Sequence, residues 1–571
     1  MILRFTYLLS LAAWLLLLVL TGPPAARAQA PAIRWDWASR GSNTGAIFSE
    51  SGGHRVQADA AGNSYITGVF AEELTLDGVV LAAGGGYASY VARYNAAGRV
   101  VWAQVLRSPN FYAGPTNCVV DRAGNLYLAG GFVQALTIGT TTLTAPASLP
   151  SNSTEEMGFV AKLSAQGVVQ WAIALGPQPG ATSGAAPCLA LAIDAADNLA
   201  IAGSYVNGLA LSGAIVSTLA TDFSNLFVIR LTNTASATPT VGWVRMASGT
   251  PYRTTPGLAF DAAGHLYLST AIYNSATFGS TTLPGGGARM ATALVQYNAA
   301  GAVQWARQLP AVLPAGAQPF GIPTALAAPP TGGLYLLHTE VVYTPVYEAT
   351  TQLLAYSELG ALRWLHSLPT TNGSLGLRSV VTDASGNVYA GGYLQGTSVL
   401  GNLSVTGTTP ASTDGVVFSF TPQGGGRWAL PVAAGPGADH VVGLCAAGVD
   451  DLYVVGGSDA ALSLGPFVLP TASTTGEVWT GHFQMLPLAT STAASAAALL
   501  LAPNPAHDFA LLTLPAAPTP QAFALLDALG RPVRHYAVPA GATTARLDVA
   551  GLPAGLYVLR GAGASRKLVL E

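Results

Sequence analysis

The stretch "DAAGNSYITGVF" (Asp59–Phe70) decides the fold, because closely related stretches recur along the chain. The next copy is "DRAGNLYLAGGF" (Asp121–Phe132). Five further copies, some of them degenerate, start at Asp194, Asp261, Pro329, Asp383 and Ala447. Neighbouring copies start 54 to 73 residues apart, which leaves room for about four short strands and their loops. A repeat of this length indicates an array of similar supersecondary units.

Each copy predicts a β-hairpin. Alternating apolar residues lead into D-x-x-G-N, and the alternation resumes through Y-x-x-G. An Asp at the first position of a type I turn caps the turn through its side chain, and the Gly accepts a positive φ. We therefore assign a structural, turn-forming role to Asp59, Asp121, Asp194, Asp261 and Asp383. A calcium loop is the alternative, but the copies lack the alternating D-x-D-x-D ligands of an EF-type loop.

A third and a fourth strand complete each repeat. In "YVARYNAAGRVVWA" (Tyr90–Ala103) the turn Asn95–Gly98 repeats the hairpin chemistry, and the fourth strand contains Trp-Ala. A tryptophan recurs at this place in six repeats, as Trp102, Trp171, Trp243, Trp305, Trp364 and Trp428. A large ring at a fixed strand position favours packing between neighbouring sheets. An aromatic ligand-binding belt is the alternative.

The seventh repeat lacks a fourth strand, and the N-terminus supplies a spare one. After the third strand "EVWTGHFQ" (Glu477–Gln484) the chain runs into "MLPLATS". The first repeat is preceded by "RWDWASR" (Arg34–Arg40), whose second tryptophan, Trp37, precedes an Ala as in the other repeats, whereas Trp35 has no equivalent in the other repeats. We predict that Trp37 contacts residues 478–484. A ring closed in this way has no open sheet edge.

The repeats resemble the seven-bladed β-propeller repeat family of exported bacterial proteins, whose units read D-x-x-G-N-x-Y-x-x-G and end in G-x-x-x-W. The resemblance covers about Arg34–Leu488 and is degenerate in the third, fifth and seventh repeats. It implies an all-β fold, namely a seven-bladed β-propeller closed by an N-terminal strand and followed by a small Ig-like β-sandwich. The family is defined by its fold, so the resemblance implies no reaction.

The N-terminus has the pattern of an export signal. Arg4 precedes an apolar core, Leu8–Leu20, and the small residues Ala26 and Ala28 frame a cleavage site. The apolar run is short for a membrane span, so an uncleaved anchor is the weaker alternative. We expect an exported protein without a transmembrane anchor.

The C-terminal residues have a different pattern from the repeats. Short alternating segments such as "FALLTL" (Phe509–Leu514) and "LYVLR" (Leu556–Arg560) follow a linker rich in Ala, Ser and Thr. Segments of this kind, separated by turn residues, predict a small antiparallel sandwich.

This block also resembles the C-terminal sorting domain of type IX secretion substrates. The matching positions are Pro503-Asn504-Pro505, Asp527, Gly530-Arg531, "LDVAGLPAGLYVLR" from Leu547, and Arg566-Lys567 in the last strand. The resemblance implies that the domain carries the folded protein across the outer membrane and that a cell-surface sortase then removes it. It also implies recognition positions at Gly555, Tyr557 and Lys567. An ordinary Ig-like domain is the alternative, but it leaves the terminal position unexplained.

The sequence thus divides into four parts. They are a signal peptide over residues 1–28, a propeller over 29–488, a linker over 489–499 and a sorting domain over 500–571.

Composition excludes several classes of function. The 571-residue chain is 50% hydrophobic and only 9% charged, and its net charge is −3 without any cluster of Lys or Arg. Nucleic-acid binding and charge-driven membrane attachment both need a basic patch, so we expect neither. The sequence has no C-x-x-C, H-E-x-x-H, P-loop or G-x-S-x-G motif. We therefore expect no cofactor, no metal and no catalytic residue of these types.

Few ionisable residues remain as candidates for chemistry. Three adjacent acidic pairs are present, Glu72-Glu73, Glu155-Glu156 and Asp450-Asp451. Neighbours on a strand point to opposite faces, so such pairs are more typical of solvated loops than of one active site. His54 and His440 each open an innermost strand and could face one end of the channel near Asp439; ordinary strand-end histidines are the alternative. The three cysteines, Cys118, Cys188 and Cys445, are expected to be free thiols.

These observations favour an exported surface propeller that acts as a binding or interaction scaffold. Its expected partners are the type IX secretion machinery, the surface sortase and an unknown extracellular glycan or protein. A propeller enzyme acting on polysaccharide, as a glycosidase or lyase, and a structural adhesin are the alternatives. Two carboxylates facing each other at the channel mouth would favour the enzyme, and a mouth of Ala, Thr and Gly would favour the scaffold.

Overall fold

The computed structural model describes residues 33–44, 55–109, 113–217, 225–249, 256–286, 290–309, 320–342, 348–401, 403–408, 412–470, 476–486, 499–527, 531–561 and 564–571. Within these ranges every helix or strand assigned is a β-strand, so the protein is all-β as predicted. The chain divides into two compact units at the peptide between Met485 and Leu486. The predicted cleavage residues Ala26 and Ala28, His54, and Gly530 lie outside the described residues.

Residues Ile33–Met485 contain seven four-stranded antiparallel units among the described strands. The first consists of β2 (Arg55–Ala58), β3 (Ser64–Leu76), β4 (Val79–Tyr94) and β5 (Val100–Arg107), and the second of β6 (Ala113–Val120), β7 (Leu126–Val133), β10 (Glu156–Leu163) and β11 (Val169–Gly176). The third consists of β12 (Cys188–Ile193), β13 (Leu199–Tyr205), β16 (Asn225–Thr232) and β17 (Thr240–Ala247), and the fourth of β18 (Gly257–Phe260), β19 (Leu266–Ile272), β22 (Ala291–Tyr297) and β23 (Val303–Gln308). The fifth consists of β24 (Phe320–Ala327), β25 (Leu334–Val342), β26 (Glu348–Tyr356) and β27 (Leu362–Leu368), and the sixth of β29 (Leu375–Thr382), β30 (Val388–Leu394), β33 (Asp414–Phe420) and β34 (Gly426–Ala433). The seventh consists of β35 (Asp439–Gly448), β36 (Asp451–Ser458), β39 (Glu477–Met485) and β1 (Ile33–Asn43).

The first strands of successive units contact one another along the chain. The series runs through β2, β6, β12, β18, β24, β29 and β35. The first strand of the seventh unit, β35, also contacts the first strand of the first unit, β2. Strands β1 and β3 are hydrogen-bonded near Gly41 and Leu76, which links the seventh and first units into one continuous sheet.

Strand β1 fills the place of the missing fourth strand. It pairs antiparallel with β39, and Trp37 lies opposite His482, within the predicted range 478–484. A β-bulge separates the Trp37 pair from the Trp35 pair, and the same irregularity separates Trp102 from Val100 in the first unit. Trp35 therefore has an equivalent position after all, which the first unit fills with a valine.

Trp37 packs between the seventh and the first unit. Its ring is 6.0 Å from that of Tyr94 and nearly parallel to it. A Cβ added to Gly98 would lie 2.4 Å from the Trp37 ring. Gly98 also has a φ of +74°, so both the ring and the backbone require a glycine there.

The other repeat tryptophans bridge neighbouring units in the same way. Each donates its indole N–H to the following unit, at 2.8 to 3.1 Å: Trp102 to Ala165 O, Trp171 to Thr234 O, Trp243 to Ala299 O, Trp305 to Glu358 O, Trp364 to Pro422 O and Trp428 to Asp450 Oδ1. Glycines pack against four of these rings, namely Gly167 on Trp102, Gly301 on Trp243, Gly360 on Trp305 and Gly424 on Trp364. The indole N–H of Trp37 has no hydrogen-bond partner among the described residues.

The glycine of Y-x-x-G allows the first strand to approach the second. In four units a Cβ at this glycine would lie 1.9 to 2.0 Å from a carbonyl oxygen in the first strand or directly before it: at Gly130, Gly203, Gly392 and Gly456. Each of these glycines lies opposite the residue that precedes a β-bulge in the first strand. The bulge bends that strand toward its neighbour, so no side chain fits at the motif glycine.

Short hairpin arms extend from the connection between the second and third strands. Their strands are β8 (Ala135–Ile138), β9 (Thr141–Thr144), β14 (Leu209–Leu211), β15 (Ala214–Ser217), β20 (Ala276–Phe278), β21 (Thr281–Leu283), β31 (Thr397–Leu400), β32 (Leu403–Thr406), β37 (Leu462–Leu464) and β38 (Phe467–Leu469); β28 (Thr370–Thr371) pairs with β31. Strand β8 pairs with β5, and β14 pairs with β11. An arm thus covers the outer edge of the preceding unit, which would otherwise be open to strand addition.

The C-terminal unit contains two antiparallel sheets. One has the order β40 (Leu500–Ala502), β41 (Phe509–Thr513), β44 (Thr544–Asp548), and the other β43 (Pro532–Val538), β42 (Gln521–Leu526), β45 (Gly555–Gly561), β46 (Ala564–Leu570). Both contribute to one apolar core that includes Leu512, Leu547, Leu559 and Leu568. Leu499, predicted as the last linker residue, is 3% exposed and belongs to this core.

We expect Trp37→Ala to destabilise the repeat unit by about 3–5 kcal/mol, the usual cost of truncating a buried aromatic residue. The ring is 5% exposed and contacts both the seventh and the first unit. Thermal unfolding followed by circular dichroism measures the effect. Leu359→Ala, at a side chain that is 79% exposed, is the control and should change stability by less than about 0.5 kcal/mol. Equal melting temperatures for the two variants would contradict a closing role for β1.

We expect Gly456→Ala to destabilise the protein by about 1–3 kcal/mol, because the new methyl group would meet the His440 carbonyl oxygen and the Trp479 ring. Gly448→Ala in the same unit is the matched control, since the nearest atom to its new methyl group lies 3.4 Å away. Chemical denaturation of both variants measures the difference. If both glycines tolerate alanine equally, the close approach does not limit the fold.

Candidate functional site

The first strands carry few ionisable side chains. Over the described residues of these seven strands, and leaving aside the cysteines, they are Arg55, Arg378, Asp439 and His440. Asp439 is the one carboxylate in this set. The described first strands therefore contain no pair of facing carboxylates.

The side chains of Arg378, Tyr393 and His440 contact one another in a row across the sixth and seventh units. Arg378 occupies the β-bulge between Leu377 and Ser379, and its guanidinium carbon lies 5.5 Å from the centre of the Tyr393 ring. The Tyr393 ring meets the His440 imidazole edge-on at 5.0 Å. Arg378 and Tyr393 are half-buried and His440 is buried. A partly exposed cation on an aromatic ring is suited to binding a polar or anionic ligand.

Asp439 lies next to this row of side chains and is fully buried. Its backbone N–H donates to Thr413 O at 2.8 Å. Burial raises the pKa of Asp439 to about 7, and the Asp414 and Asp459 carboxylates add to that rise, against opposing effects of Ser458 and Arg40. Asp439 is therefore partly protonated near neutral pH, unlike an ordinary surface carboxylate.

The two neighbouring carboxylates have structural partners. Asp414 accepts hydrogen bonds from the Thr408 hydroxyl, at 2.9 Å, and from the Thr408 backbone N–H. Asp459 accepts from the Ala438 backbone N–H at 2.6 Å. Among the described residues no group of three His, Cys, Asp or Glu side chains could hold a metal ion.

The turn carboxylates bind their own hairpins. Asp121 Oδ1 accepts from the backbone N–H groups of Ala123 and Asn125, at 3.0 and 2.8 Å. Asp59, Asp194 and Asp383 make the same pair of bonds. Basic side chains on the third strand also approach some of these carboxylates, as in the Lys162–Asp121 and Arg230–Asp194 ion pairs.

In several units the repeated tyrosine donates a hydrogen bond to the turn of the next unit. The Tyr65 hydroxyl donates to Gly124 O at 2.7 Å, in the turn of the second unit. The Tyr453 hydroxyl of the seventh unit donates to Gly62 O at 2.9 Å, in the turn of the first. The conserved polar groups of the repeat are thus used in joining units.

The adjacent acidic pairs do not converge on one point. Asp450 binds Arg427 and the Trp428 indole, whereas Asp451 lies 2.5 Å from the His482 imidazole. Glu72 and Glu73 are both exposed. In the third pair Glu156 is buried and Glu155 is partly exposed.

All three cysteines are free thiols, as expected. Burial raises the pKa of Cys118 to about 12 and that of Cys445 to about 11. Burial also raises the pKa of Cys188. Thiols with such values are protonated at neutral pH and are poor nucleophiles.

In the C-terminal unit the Asn504 side chain reaches the last strand. Its amide N–H donates to Lys567 O at 2.9 Å, and its amide oxygen accepts from the Val569 backbone N–H at 2.8 Å. Tyr557 is buried, and its hydroxyl donates to Pro553 O at 2.8 Å. Lys567 is exposed. The Asp527 carboxylate binds the backbone N–H and the side chain of Arg531.

Residues 501–570 match the family described as "Secretion system C-terminal sorting domain". The C-terminal unit is a secretion-system sorting domain. The protein that carries it is exported and is either released or attached at the outer surface. No described segment forms a helix long and apolar enough to cross a membrane.

The chain is similar to several solved structures. A catalytically inactive virginiamycin B lyase from Staphylococcus aureus with quinupristin shares 9% identity at a TM-score of 0.38, over 78% of this chain and 100% of that one. An alpha-L-arabinanase from Penicillium chrysogenum with arabinobiose shares 11% identity at a TM-score of 0.35, over 80% of this chain and 99% of that one. No curated protein sequence matches the chain.

The sequence named some of these residues and missed others. His440 and Asp439 were candidates, whereas Arg378 and Tyr393 were not. Arg378 is the only charged residue in its first strand. This isolated charge is the feature of the sequence that could have identified it as a candidate binding residue. The contact of Asn504 with a strand more than sixty positions away has no signal in the sequence.

We expect the contribution of Asp439 to stability to fall as the pH rises from about 4 to 7, because folded Asp439 retains its proton over a range in which the unfolded chain has lost it. Buried His338, whose pKa is lowered to about 4, contributes in the opposite direction over this range. Asp439→Asn removes the contribution of Asp439, so the variant should be more stable than wild type at pH 8, by at most about 4 kcal/mol, and equally stable near pH 4. Denaturant midpoints measured from pH 4 to 8 test this. Glu73→Gln, at an exposed position, serves as control. A pH profile unchanged by Asp439→Asn would contradict the raised pKa.

Proposed function

We propose that residues 33–485 form a seven-bladed β-propeller closed by β1. The contact between β2 and β35 supports closure, because it joins the first strands of the first and seventh units. The pairing of β1 with β39 supports the assignment of the seventh blade. The proposed order of the chain is a signal peptide cleaved after Ala28, the propeller, a linker ending before Leu499, and an Ig-like sorting domain.

We propose that this propeller is a binding scaffold exposed at the cell surface. The observation that carries the proposal is the group of side chains where the sixth and seventh units meet: half-buried Arg378 on the Tyr393 ring, beside the buried carboxylate of Asp439. Hydrolysis of a glycosidic bond uses two carboxyl groups roughly 5–10 Å apart on either side of the bond. The Asp414 and Asp459 carboxylates near Asp439 accept hydrogen bonds from Thr408 and from the Ala438 backbone N–H, which supports a structural role for them. A cation on an aromatic ring provides binding without reaction.

The ligand is an extracellular glycan or protein bound at the ends of the first strands of the sixth and seventh units. The secretion partners are the type IX machinery and its surface sortase, which would read Gly555, Tyr557 and Lys567. Exposed Lys567 and buried Tyr557 support different roles for these residues, one in contact with a partner and the other in the core of the domain.

We expect the secreted full chain to retain a ligand from an array of bacterial and host glycans and surface proteins without altering it. Arg378→Ala and Tyr393→Ala should each weaken binding by about tenfold or more, as for a central contact residue. Arg122→Ala, at an exposed turn in the second unit, should bind as wild type does. Biolayer interferometry measures affinity, and assays for new reducing ends or unsaturated products detect cleavage. Cleavage of a polysaccharide, or unchanged binding by both variants, would contradict the proposal.

A further inference from the structure

The first residues of the sorting domain are hydrogen-bonded to its last strand, β46. Asn504 donates to Lys567 O and accepts from Val569 N–H, so its side chain pairs with the backbone as another strand would. Two residues further on, Ala506 N–H donates to Val569 O at 2.8 Å, and Glu571 N–H donates to Ala506 O at 3.1 Å. These bonds continue the pairing to the end of the chain.

A fifth hydrogen bond connects the start of the domain to β46. The Arg566 side chain donates through Nε to Leu499 O at 2.8 Å. Leu499 is buried in the core, as are Leu568 and Leu570 of β46. We call residues 499–506 together with β46 the terminal clasp.

The clasp occupies the edge of a sheet. β46 is the last strand in the order β43-β42-β45-β46, so one side pairs with β45 and the other side would be open. Open edges are where proteins bind extended peptides and other strands. In this domain residues 504–506 cover the C-terminal half of that edge, and Lys567 and Val569 remain exposed.

The sequence before the clasp offers little for a partner to recognise. Residues 489–498 are all Ala, Ser or Thr, and these small side chains carry no charge and little apolar surface. Selective recognition near this junction needs larger groups, and the nearest described ones belong to the clasp. Arg566 and Lys567 give it positive charge, and Val569 gives it an exposed apolar side chain.

We propose that the terminal clasp is a single recognition surface, through which the sorting machinery recognises strand β46 and the first residues of the domain together. The partner is a protein of the secretion system with an acidic groove that accepts Lys567 and Val569. Asn504 is a positioning residue, because it acts through the backbone of β46. This inference rests on the sorting role of the domain.

Consequently, a partner bound to β46 is already beside the point where the chain enters the domain at Leu499. Specificity for the junction then comes from the folded clasp, and the linker needs no sequence of its own. A domain whose last strand is absent or detached would present neither half of the surface.

The test uses the full chain with Asn504→Ala, Asn504→Asp and Thr513→Ala. Asn504→Ala removes both side-chain bonds, Asn504→Asp keeps an acceptor for Val569 N–H but loses the donor to Lys567 O, and Thr513 is exposed on the other sheet. Hydrogen exchange of the purified proteins should show Val569 N–H exchanging about five- to tenfold faster in Asn504→Ala, as expected for the loss of one hydrogen bond. Exchange in β42 and β45 should be unchanged in all three variants, which verifies that the domain is folded.

In the native host, the amount of processed protein outside the cell should fall at least fivefold for Asn504→Ala and by less for Asn504→Asp. Thr513→Ala should be secreted as wild type is. Normal secretion and processing of Asn504→Ala despite faster exchange at Val569 would overturn the inference, and so would unchanged exchange. Deletion of residues 499–571 tests the sorting role separately: if the deleted protein still reaches the medium, the sorting role itself fails.

Discussion

At most of the junctions between units a tryptophan ring packs against a glycine of the next unit. The contact recurs at Trp102 with Gly167 and at Trp243 with Gly301. It requires two things at once, a wide flat side chain on one strand and a hairpin turn without a side chain on the other. Because the turn also needs a positive φ, the same glycine satisfies both demands. The spacing between units follows from this contact, and Trp37 on Gly98 applies it between the last unit and the first.

Much of this architecture could be predicted from the sequence because the same pattern occurs in several copies that can be compared. The hairpin turns, the place of the fourth-strand tryptophan and the partner of Trp37 all follow from comparing copies. The sequence did not reveal why the last position of Y-x-x-G is a glycine. That requirement comes from a β-bulge in the neighbouring first strand, and the bulge has no sequence signature of its own. The position of Trp35 was missed for a similar reason: the bulge at Asp36 shifts the pairing by one residue, and a comparison of tryptophans alone cannot detect that shift.

The candidate binding residues could be predicted only in part. Repeat analysis identifies what the copies share, and the shared polar groups turn out to hold units together, as with the Tyr65 hydroxyl and the Gly124 carbonyl. Ligand binding depends instead on departures from the repeat. Arg378 and Tyr393 are such departures, and their proximity to His440 arises from the packing of two units. The same limit applies to Asn504, whose partners are distant in sequence and whose role depends on the geometry of a sheet edge.

Strand β1 has a consequence for how the chain is made. Arg34 bonds to Gln484, 450 positions later. Of the described strands in residues 33–485, β1 is therefore the first to be synthesised, and its pairing with β39 has to wait until the last of them has been made. The seventh unit thus completes its sheet only after every other unit has been synthesised, whereas the strands of each of the first six units follow one another in the chain.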